Sequence, residues 1–143
     1  MVEVDGYLLM EDRYYWPHGH TWVKLEGDKA IVGMTHLGIE MAGRIIMIRL
    51  RPKGSKVKQG EGLGTLESAK WVGPIESPIT GEVIEVNKEV RRRPRILSKD
   101  PYEKGWMAIL KPLNLEEDMK KLLTGEEAVK WYKEEVEKWK SRK

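Results

Sequence analysis

Residues 64–83 read GTLESAKWVGPIESPITGEV, with Lys70 between two short apolar runs that each end in turn-forming residues. Two such runs separated by a few residues are typical of a β-hairpin. The segment therefore predicts a hairpin with the amine of Lys70 at its tip. An exposed amine on a rigid turn is a candidate for covalent modification, so the pattern indicates an attachment point and not a catalyst. An ordinary surface lysine has the same local pattern and is the alternative.

The region around this hairpin has the pattern of a β-rich fold. From residue 16 to residue 113, short apolar runs are cut by Gly, Pro, Asp and Asn, as in sandwiches and barrels of short strands. Residues 22–25 and 30–33 are predicted to be the first two strands of the core, joined by a turn. Residues 35–42 contain good helix formers and predict a short helix that ends at Gly43.

Two segments of the chain share one pattern. GRIIMI at residues 43–48 and GEVIEV at residues 81–86 begin 38 residues apart. The repeat suggests a sandwich with two related halves, although six apolar-rich residues also match by chance. The predicted fold is mainly β, a flattened barrel or sandwich with a short internal helix and helices at the C-terminus.

The pattern becomes helical towards the C-terminus. Apolar residues recur near helical spacing over residues 115–139, and residues 124–127 supply a break, so we expect two helices, the second running to the end of the chain. Its aromatic stripe either packs on the sandwich or binds a partner. We expect a β domain at residues 1–113 and a helical extension at residues 114–143 packed on the same domain.

The composition limits the class of protein. None of the 143 residues is cysteine, which excludes disulfides, thiolate metal sites and cysteine nucleophiles. The 26 basic and 23 acidic residues are mostly interspersed, which suits surface ion pairs, as in proteins of hot environments, and does not indicate nucleic-acid binding. No apolar run is long enough to span a bilayer and the N-terminus does not resemble a signal peptide, so we expect a cytoplasmic monomer.

Few residues offer catalytic chemistry. His18 and His20 imply no third metal ligand by their spacing, and a pair of polar loop histidines is the commoner explanation. Glu67 and Glu76 flank the hairpin and are expected to be solvated or salt-bridged. The basic run at residues 91–95 is expected to be a solvated turn or a docking patch for an acidic partner. We therefore predict no catalytic residue and no metal site.

Several motifs match one known family in order. LESAK at residues 66–70 is similar to a Glu-Ser-x-Lys attachment motif, and SPITGEV at residues 77–83 is similar to a Ser-Pro-x-Ser/Thr-Gly-Glu-Val strand. Both are motifs of the glycine cleavage system H protein, a lipoyl-carrying relative of lipoyl and biotinyl domains, which the chain resembles from about residue 14 to residue 123. Biotin carriers usually set the lysine between methionines, whereas Ala69 and Trp71 flank it here, so lipoate is preferred. Further matching motifs are Gly33-Met34-Thr35, Asn87, Asp100-Pro101-Tyr102 and Gly105-Trp106.

The resemblance implies a non-catalytic carrier with lipoic acid amide-linked to Lys70. Glu67, Ser68, Ala69 and Trp71 would surround the cofactor. The dithiolane would supply sulfur chemistry that a cysteine-free chain lacks. The arm would shuttle an aminomethyl group from glycine decarboxylase (P protein) to aminomethyltransferase (T protein). The other implied partners are dihydrolipoyl dehydrogenase (L protein) and lipoate ligase or lipoyl synthase.

The sequence departs from the family at two positions of the cargo cleft. In the family, acidic side chains meet the ammonium of the cargo, one from a His-Glu-Trp segment and one a few residues beyond the lysine. Here Thr21 stands at the first position and Gly73-Pro74 at the second. Because a charge removed from water without a partner is costly, we expect the cleft to suit an aminomethyl cargo poorly. The alternative function is therefore an H-like lipoate carrier for another pathway, such as heterodisulfide-reductase-like sulfur oxidation.

Overall fold

Short strands and short helices follow one another along the chain in the computed structural model, which describes residues 1–142. The strands are β1 (Val2–Val4), β2 (Tyr7–Leu9), β3 (Tyr14–Trp16), β4 (Thr21–Glu26), β5 (Lys29–Met34), β6 (Ile45–Leu50), β7 (Lys56–Val57), β8 (Gly62–Ser68), β9 (Val72–Glu76), β10 (Gly81–Val86) and β11 (Ala108–Pro112). The helices are α1 (His36–Ala42), α2 (Lys88–Arg92), α3 (Ile96–Lys99), α4 (Leu115–Met119) and α5 (Gly125–Ser141).

Two antiparallel sheets form the body of the fold. The larger sheet has six strands in the order β3-β4-β5-β11-β10-β7, and the smaller has three in the order β6-β8-β9. Strands β1 and β2 pair separately as an N-terminal hairpin, which the sequence pattern did not reveal. The prediction of a mainly β sandwich with a short internal helix and C-terminal helices is confirmed, and two further short helices, α2 and α3, lie between β10 and β11. The two segments of shared pattern contain β6 and β10, one in each sheet, while the duplication itself stays a prediction.

The predicted internal helix is α1, and its two ends explain its length. The side chain of Thr35 caps the first turn by accepting a hydrogen bond from the backbone N–H of Gly38 at 2.9 Å. Gly43 ends the helix with a φ of 91°, a conformation that residues with a β carbon rarely adopt. The turn after Gly43 starts β6, which brings the end of α1 beside the smaller sheet.

The four arginines of the basic run at residues 91–95 are exposed, as the sequence predicts, but only part of the run is a turn. Its first two residues lie in α2, and Arg95 directly precedes α3. The side chain of Asn87 accepts from the backbone N–H of Glu89 at 3.0 Å and so begins α2. Helix α2 buries Val90 and helix α3 buries Leu97. A single buried apolar residue shows no helical periodicity, so the sequence pattern does not predict either helix.

Helix α5 packs its apolar stripe on the N-terminal part of the chain. The hydroxyl of Tyr132 accepts from the backbone N–H of Leu37 at 3.0 Å and donates to the carbonyl of Leu8 at 2.9 Å. Tyr132 and Val136 are fully buried with aromatic residues of β3 and β4. The stripe is therefore a packing face. The domain boundary at residue 113 stays a prediction, and no helix within residues 1–142 is long and apolar enough to cross a bilayer.

Candidate functional site

Lys70 lies at the tip of the β8–β9 hairpin, as the sequence predicts. The backbone N–H of Ser68 donates to the carbonyl of Trp71 at 2.7 Å and closes the turn. Inside the turn, the backbone N–H of Lys70 lies 3.3 Å from the hydroxyl of Ser68. The N–H of Ala69 donates to the carbonyl of Arg44 at 3.2 Å, which ties the tip to the segment before β6. The backbone of the tip is held firmly while the side chain of Lys70 is exposed.

The side chain of Lys70 lies across the end of α1. A β carbon added to Gly43 would stand 2.9 Å from Cε of Lys70, so a larger residue at position 43 would displace the lysine side chain. The Nζ atom lies 6.0 Å from the ring centroid of Trp139 on α5, at the limit of a cation–π contact. The amine is thus presented between the end of α1 and the last turns of α5.

Trp71 shields the other side of the hairpin tip. Its ring covers Gly73 so closely that any β carbon there would overlap it. The side chain keeps 43% of its surface exposed. Glycine at position 73 therefore lets a large aromatic surface lie flat beside Lys70.

A cleft of about 420 Å³ opens beside Lys70. Its apolar lining comes from α1, the end of β5 and β9, and includes Met34, Met41, Ala42 and Pro74. His18 and His20, from the loop before β4, line its polar side. The cleft is large enough for a small side chain or cofactor arm and is apolar enough to favour hydrocarbon and sulfur over water.

Glu76 places a carboxylate in this cleft. Among the described residues that line it, Glu76 alone is acidic. Its Oε1 accepts from the indole N–H of Trp16 at 2.9 Å, and its side chain packs on Gly19, where an added β carbon would stand 2.8 Å from Cβ of Glu76. The expectation of a solvated or salt-bridged Glu76 is wrong, because an indole holds it. The alternation of side chains along a strand could have indicated this position, because Pro74 and Glu76 lie on the same face of β9.

His20 connects the cleft wall to the C-terminal helix. It is a buried residue with a φ of 55°, and its Nδ1 and Nε2 lie 3.0 Å from Oγ1 of Thr35 and 2.8 Å from Oε1 of Glu135. The ring of Trp131 packs on the imidazole with centroids 4.8 Å apart. We assign the proton to Nε2, because the Thr35 hydroxyl can then donate to Nδ1 while Glu135 accepts. No local sequence pattern indicates this pairing across 115 residues.

The family model described as "Glycine cleavage H-protein" matches residues 13–135. This chain belongs to the glycine cleavage H-protein family. "Glycine cleavage system H protein 2" of Aquifex aeolicus is 44% identical over 137 residues, which cover 95% of this chain and 85% of that protein. "Probable glycine cleavage system H protein 2" of Sulfolobus acidocaldarius is 47% identical over 129 residues, which cover 88% of this chain and 86% of that protein.

Similarity to a solved structure supports the same fold. The crystal structure of a glycine cleavage system H protein from Mycobacterium marinum aligns with a TM-score of 0.78 and 28% sequence identity. The alignment covers 90% of this chain and 99% of that one. The flattened barrel-sandwich fold expected from the motifs is therefore the fold of an H-protein family member.

The residues that the family motif marks around the cofactor do not all face the cleft. Ser68 and Trp71 hold and cover the tip of the hairpin, whereas Glu67 is exposed on the outer face of β8, because it alternates with the buried Leu66. Ala69 is exposed beside Arg44. Contact of any of these residues with the cofactor stays a prediction.

Thr21 does not line the cleft of this H-protein family member. It is fully buried in β4, and its hydroxyl has no hydrogen-bond partner within residues 1–142. Glutamate at this position would place a carboxylate in the core unless the strand shifted. The motif comparison assigned position 21 to the cleft, whereas in this chain the neighbouring His20 and the distant Glu76 line it.

The Glu135–His20 pair predicts how stability depends on pH. The hydrogen bond from His20 lowers the pKa of Glu135 below its usual 4.5, with Lys138 contributing less and burial opposing the shift. A carboxyl with a lowered folded-state pKa stabilises the fold above its unfolded pKa, and this stability is lost as pH falls through the lowered value. Glu135→Gln is therefore expected to have a lower urea midpoint of unfolding than the wild type at pH 6. The difference between the two midpoints should become smaller by pH 3.

Glu134→Gln, on the exposed face of the same helix, is the matched control for this measurement. Its urea midpoints should follow those of the wild type at every pH. Parallel pH profiles for Glu135→Gln and the wild type, with a constant difference, would contradict the assigned pair.

Proposed function

We propose that the protein is the lipoyl carrier of a glycine cleavage system, with its arm on Lys70. The observation that carries the proposal is an exposed lysine, on a hydrogen-bonded hairpin tip beside an apolar cleft, in a chain of the H-protein family. The proposed partners are glycine decarboxylase, aminomethyltransferase, dihydrolipoyl dehydrogenase and a lipoate ligase or lipoyl synthase. Action as a monomer in the cytoplasm also remains a prediction.

The residues beside Lys70 fit a lipoyl group. Met41, Ala42 and Pro74 offer apolar surface to its hydrocarbon and sulfur atoms, and the cleft they line adjoins the lysine. When attached, the lipoyl dithiolane supplies the sulfur that carries the aminomethyl group and exchanges electrons. The protein holds the root of the arm still, through the hydrogen bonds of Ser68 and Ala69, and excludes water from one side of it with Trp71.

Glu76 supports an aminomethyl cargo over the alternative cargo. An ammonium that enters an apolar cleft needs a carboxylate partner, and the argument for a sulfur-oxidation carrier rested on missing carboxylates at positions 21 and 74. Glu76 supplies one carboxylate to the cleft. The names of the relatives likewise support glycine cleavage and do not favour the alternative.

Glycine-dependent exchange of labelled bicarbonate, with glycine decarboxylase and the lipoylated protein, tests this function. We expect exchange that requires lipoylation and saturates with carrier concentration. The reoxidation of the same preparation by dihydrolipoyl dehydrogenase serves as the control for a working arm. A preparation that is fully lipoylated and normally reoxidised, yet supports no exchange, would contradict the proposed function.

A further inference from the structure

A surface of exposed cations lies beside the tip that carries Lys70. It is formed by Arg44, Ile46, Ala69, Arg95 and Lys99, which line two adjoining shallow depressions and which we call the basic shoulder. Its three cationic side chains are exposed, as is Ile46, with 52% of its surface accessible. The basic shoulder thus combines an exposed apolar residue with charged residues, as protein-binding surfaces do.

The charge of the basic shoulder is not neutralised within the protein. In the described residues 1–142, none of Arg44, Arg95 and Lys99 has an ion-pair partner, whereas nearby Arg92 is paired with Glu89 at 3.3 Å. One acid, Glu40, lies at the margin of the same surface. Three cations and one anion leave a net charge of about +2 on this surface. Elsewhere in the chain, basic and acidic residues are mostly interspersed.

The side chain of Lys70 lies at the edge of this surface, with its Nζ atom on the side of the cleft and Trp139. It crosses Gly43, which lines the same depression as Arg44, and the turn that carries it is hydrogen-bonded to the carbonyl of Arg44. An enzyme that holds the hairpin tip while it acts on Nζ also meets the basic shoulder, because Ala69 and Arg44 belong to both. The structure has a free lysine, which is the form that the attaching enzyme binds. We therefore consider that enzyme as the partner of the basic shoulder.

We propose that the basic shoulder docks an acidic surface at the active-site entrance of the enzyme that attaches the lipoyl group to Lys70. This inference rests on the attachment step of the proposed function and adds the site of recognition. Attachment joins Nζ to the acyl carbon of an activated lipoyl group, an acyl-nucleotide mixed anhydride. The bond from that carbon to the phosphate oxygen breaks, the nucleoside monophosphate leaves, and the two protons lost by the ammonium pass to solvent. The cations of the basic shoulder act before this step, by speeding encounter and fixing orientation.

Charge reversal tests the basic shoulder. Lipoylation by the cognate lipoate ligase, with lipoate and ATP, is followed by intact mass over a range of carrier concentrations and ionic strengths. For Arg44→Glu with Arg95→Glu, kcat/KM should fall at least about tenfold at low ionic strength while kcat changes little, and the difference should shrink as salt is added. Glu40→Lys should act in the opposite direction and raise kcat/KM.

Two controls separate docking from folding. Lys53→Glu reverses a charge at the end of β6 that is remote from the hairpin tip, near Arg51. This variant should leave kcat/KM unchanged. Arg44→Gln with Arg95→Gln removes charge without reversing it and should give an intermediate fall. Circular dichroism and thermal unfolding check that each variant is folded.

Each possible result of these lipoylation measurements supports or overturns the docking role. An unchanged kcat/KM in the reversed variant, an equal fall in Lys53→Glu, or a fall that added salt does not reduce would overturn the docking role. Loss of single-stranded DNA binding in the reversed variant, with unchanged lipoylation, would also overturn it and assign the surface to nucleic acid. A wild-type protein that accepts no lipoate would refute both proposals, whereas lipoylation that depends on the basic shoulder without glycine-dependent exchange would refute the proposed function alone.

Discussion

Replacing Lys70 by arginine is expected to abolish lipoyl attachment and, with it, every transfer that depends on the arm. Arginine keeps the positive charge and the length of the side chain, and the tip backbone is held by Ser68 and Trp71. A guanidinium stays protonated in proteins and does not form the amide, so the chemistry is lost and the hairpin is kept. Intact mass after incubation with the lipoylating enzyme should show one added lipoyl group on the wild type and none on Lys70→Arg.

The control for this loss is Lys53→Arg, which changes another exposed lysine, outside the basic shoulder, without changing its charge. It should gain one lipoyl group as the wild type does. Lys70→Arg should also unfold at the temperature of the wild type. A lipoyl group found on Lys70→Arg would move the attachment site to another lysine and contradict the assignment.

Replacing Glu76 by glutamine is expected to shorten the time for which the lipoylated protein retains an aminomethyl cargo. Glutamine keeps the size of the side chain, and its amide oxygen can still accept from Trp16, so the change removes mainly the charge. A hydrogen bond to a charged group contributes about 1.5–3 kcal/mol, which corresponds to a loss of retention of roughly tenfold or more. The measurement is the half-life of the loaded form, followed by intact mass after the decarboxylase is removed.

Glu85→Gln, an exposed carboxylate on β10, provides the matched comparison. It should retain the cargo as long as the wild type does. Both variants should accept lipoate and be reoxidised normally, which separates cargo retention from the arm itself. Equal half-lives for Glu76→Gln and the wild type would show that Glu76 does not hold the ammonium.

Local chemistry made much of this fold predictable. The turn residues around Lys70 predicted the hairpin, and the apolar runs at residues 22–25 and 30–33 predicted β4 and β5. Gly43 marked the end of α1. The N-terminal hairpin was missed because β1 and β2 have only three residues each, too few to show alternation.

The candidate site was predictable only at its attachment point. Lys70 stands in a local motif, whereas the cleft beside it is assembled from residues far apart in the chain. Glu76 is held by Trp16, 60 residues away, and His20 by Glu135, 115 residues away. No local pattern encodes such pairs. Comparing motifs position by position also assigned Thr21 to the cleft, although this chain buries it.

Intact mass of the lipoylated protein, after incubation with glycine and glycine decarboxylase, tests the central claim most directly. The wild type is expected to gain one aminomethyl group on its lipoyl arm, whereas Lys70→Arg is expected to gain neither the arm nor the cargo. The contradicting result is a wild-type protein that is fully lipoylated and reoxidised by dihydrolipoyl dehydrogenase, but shows no added mass with glycine.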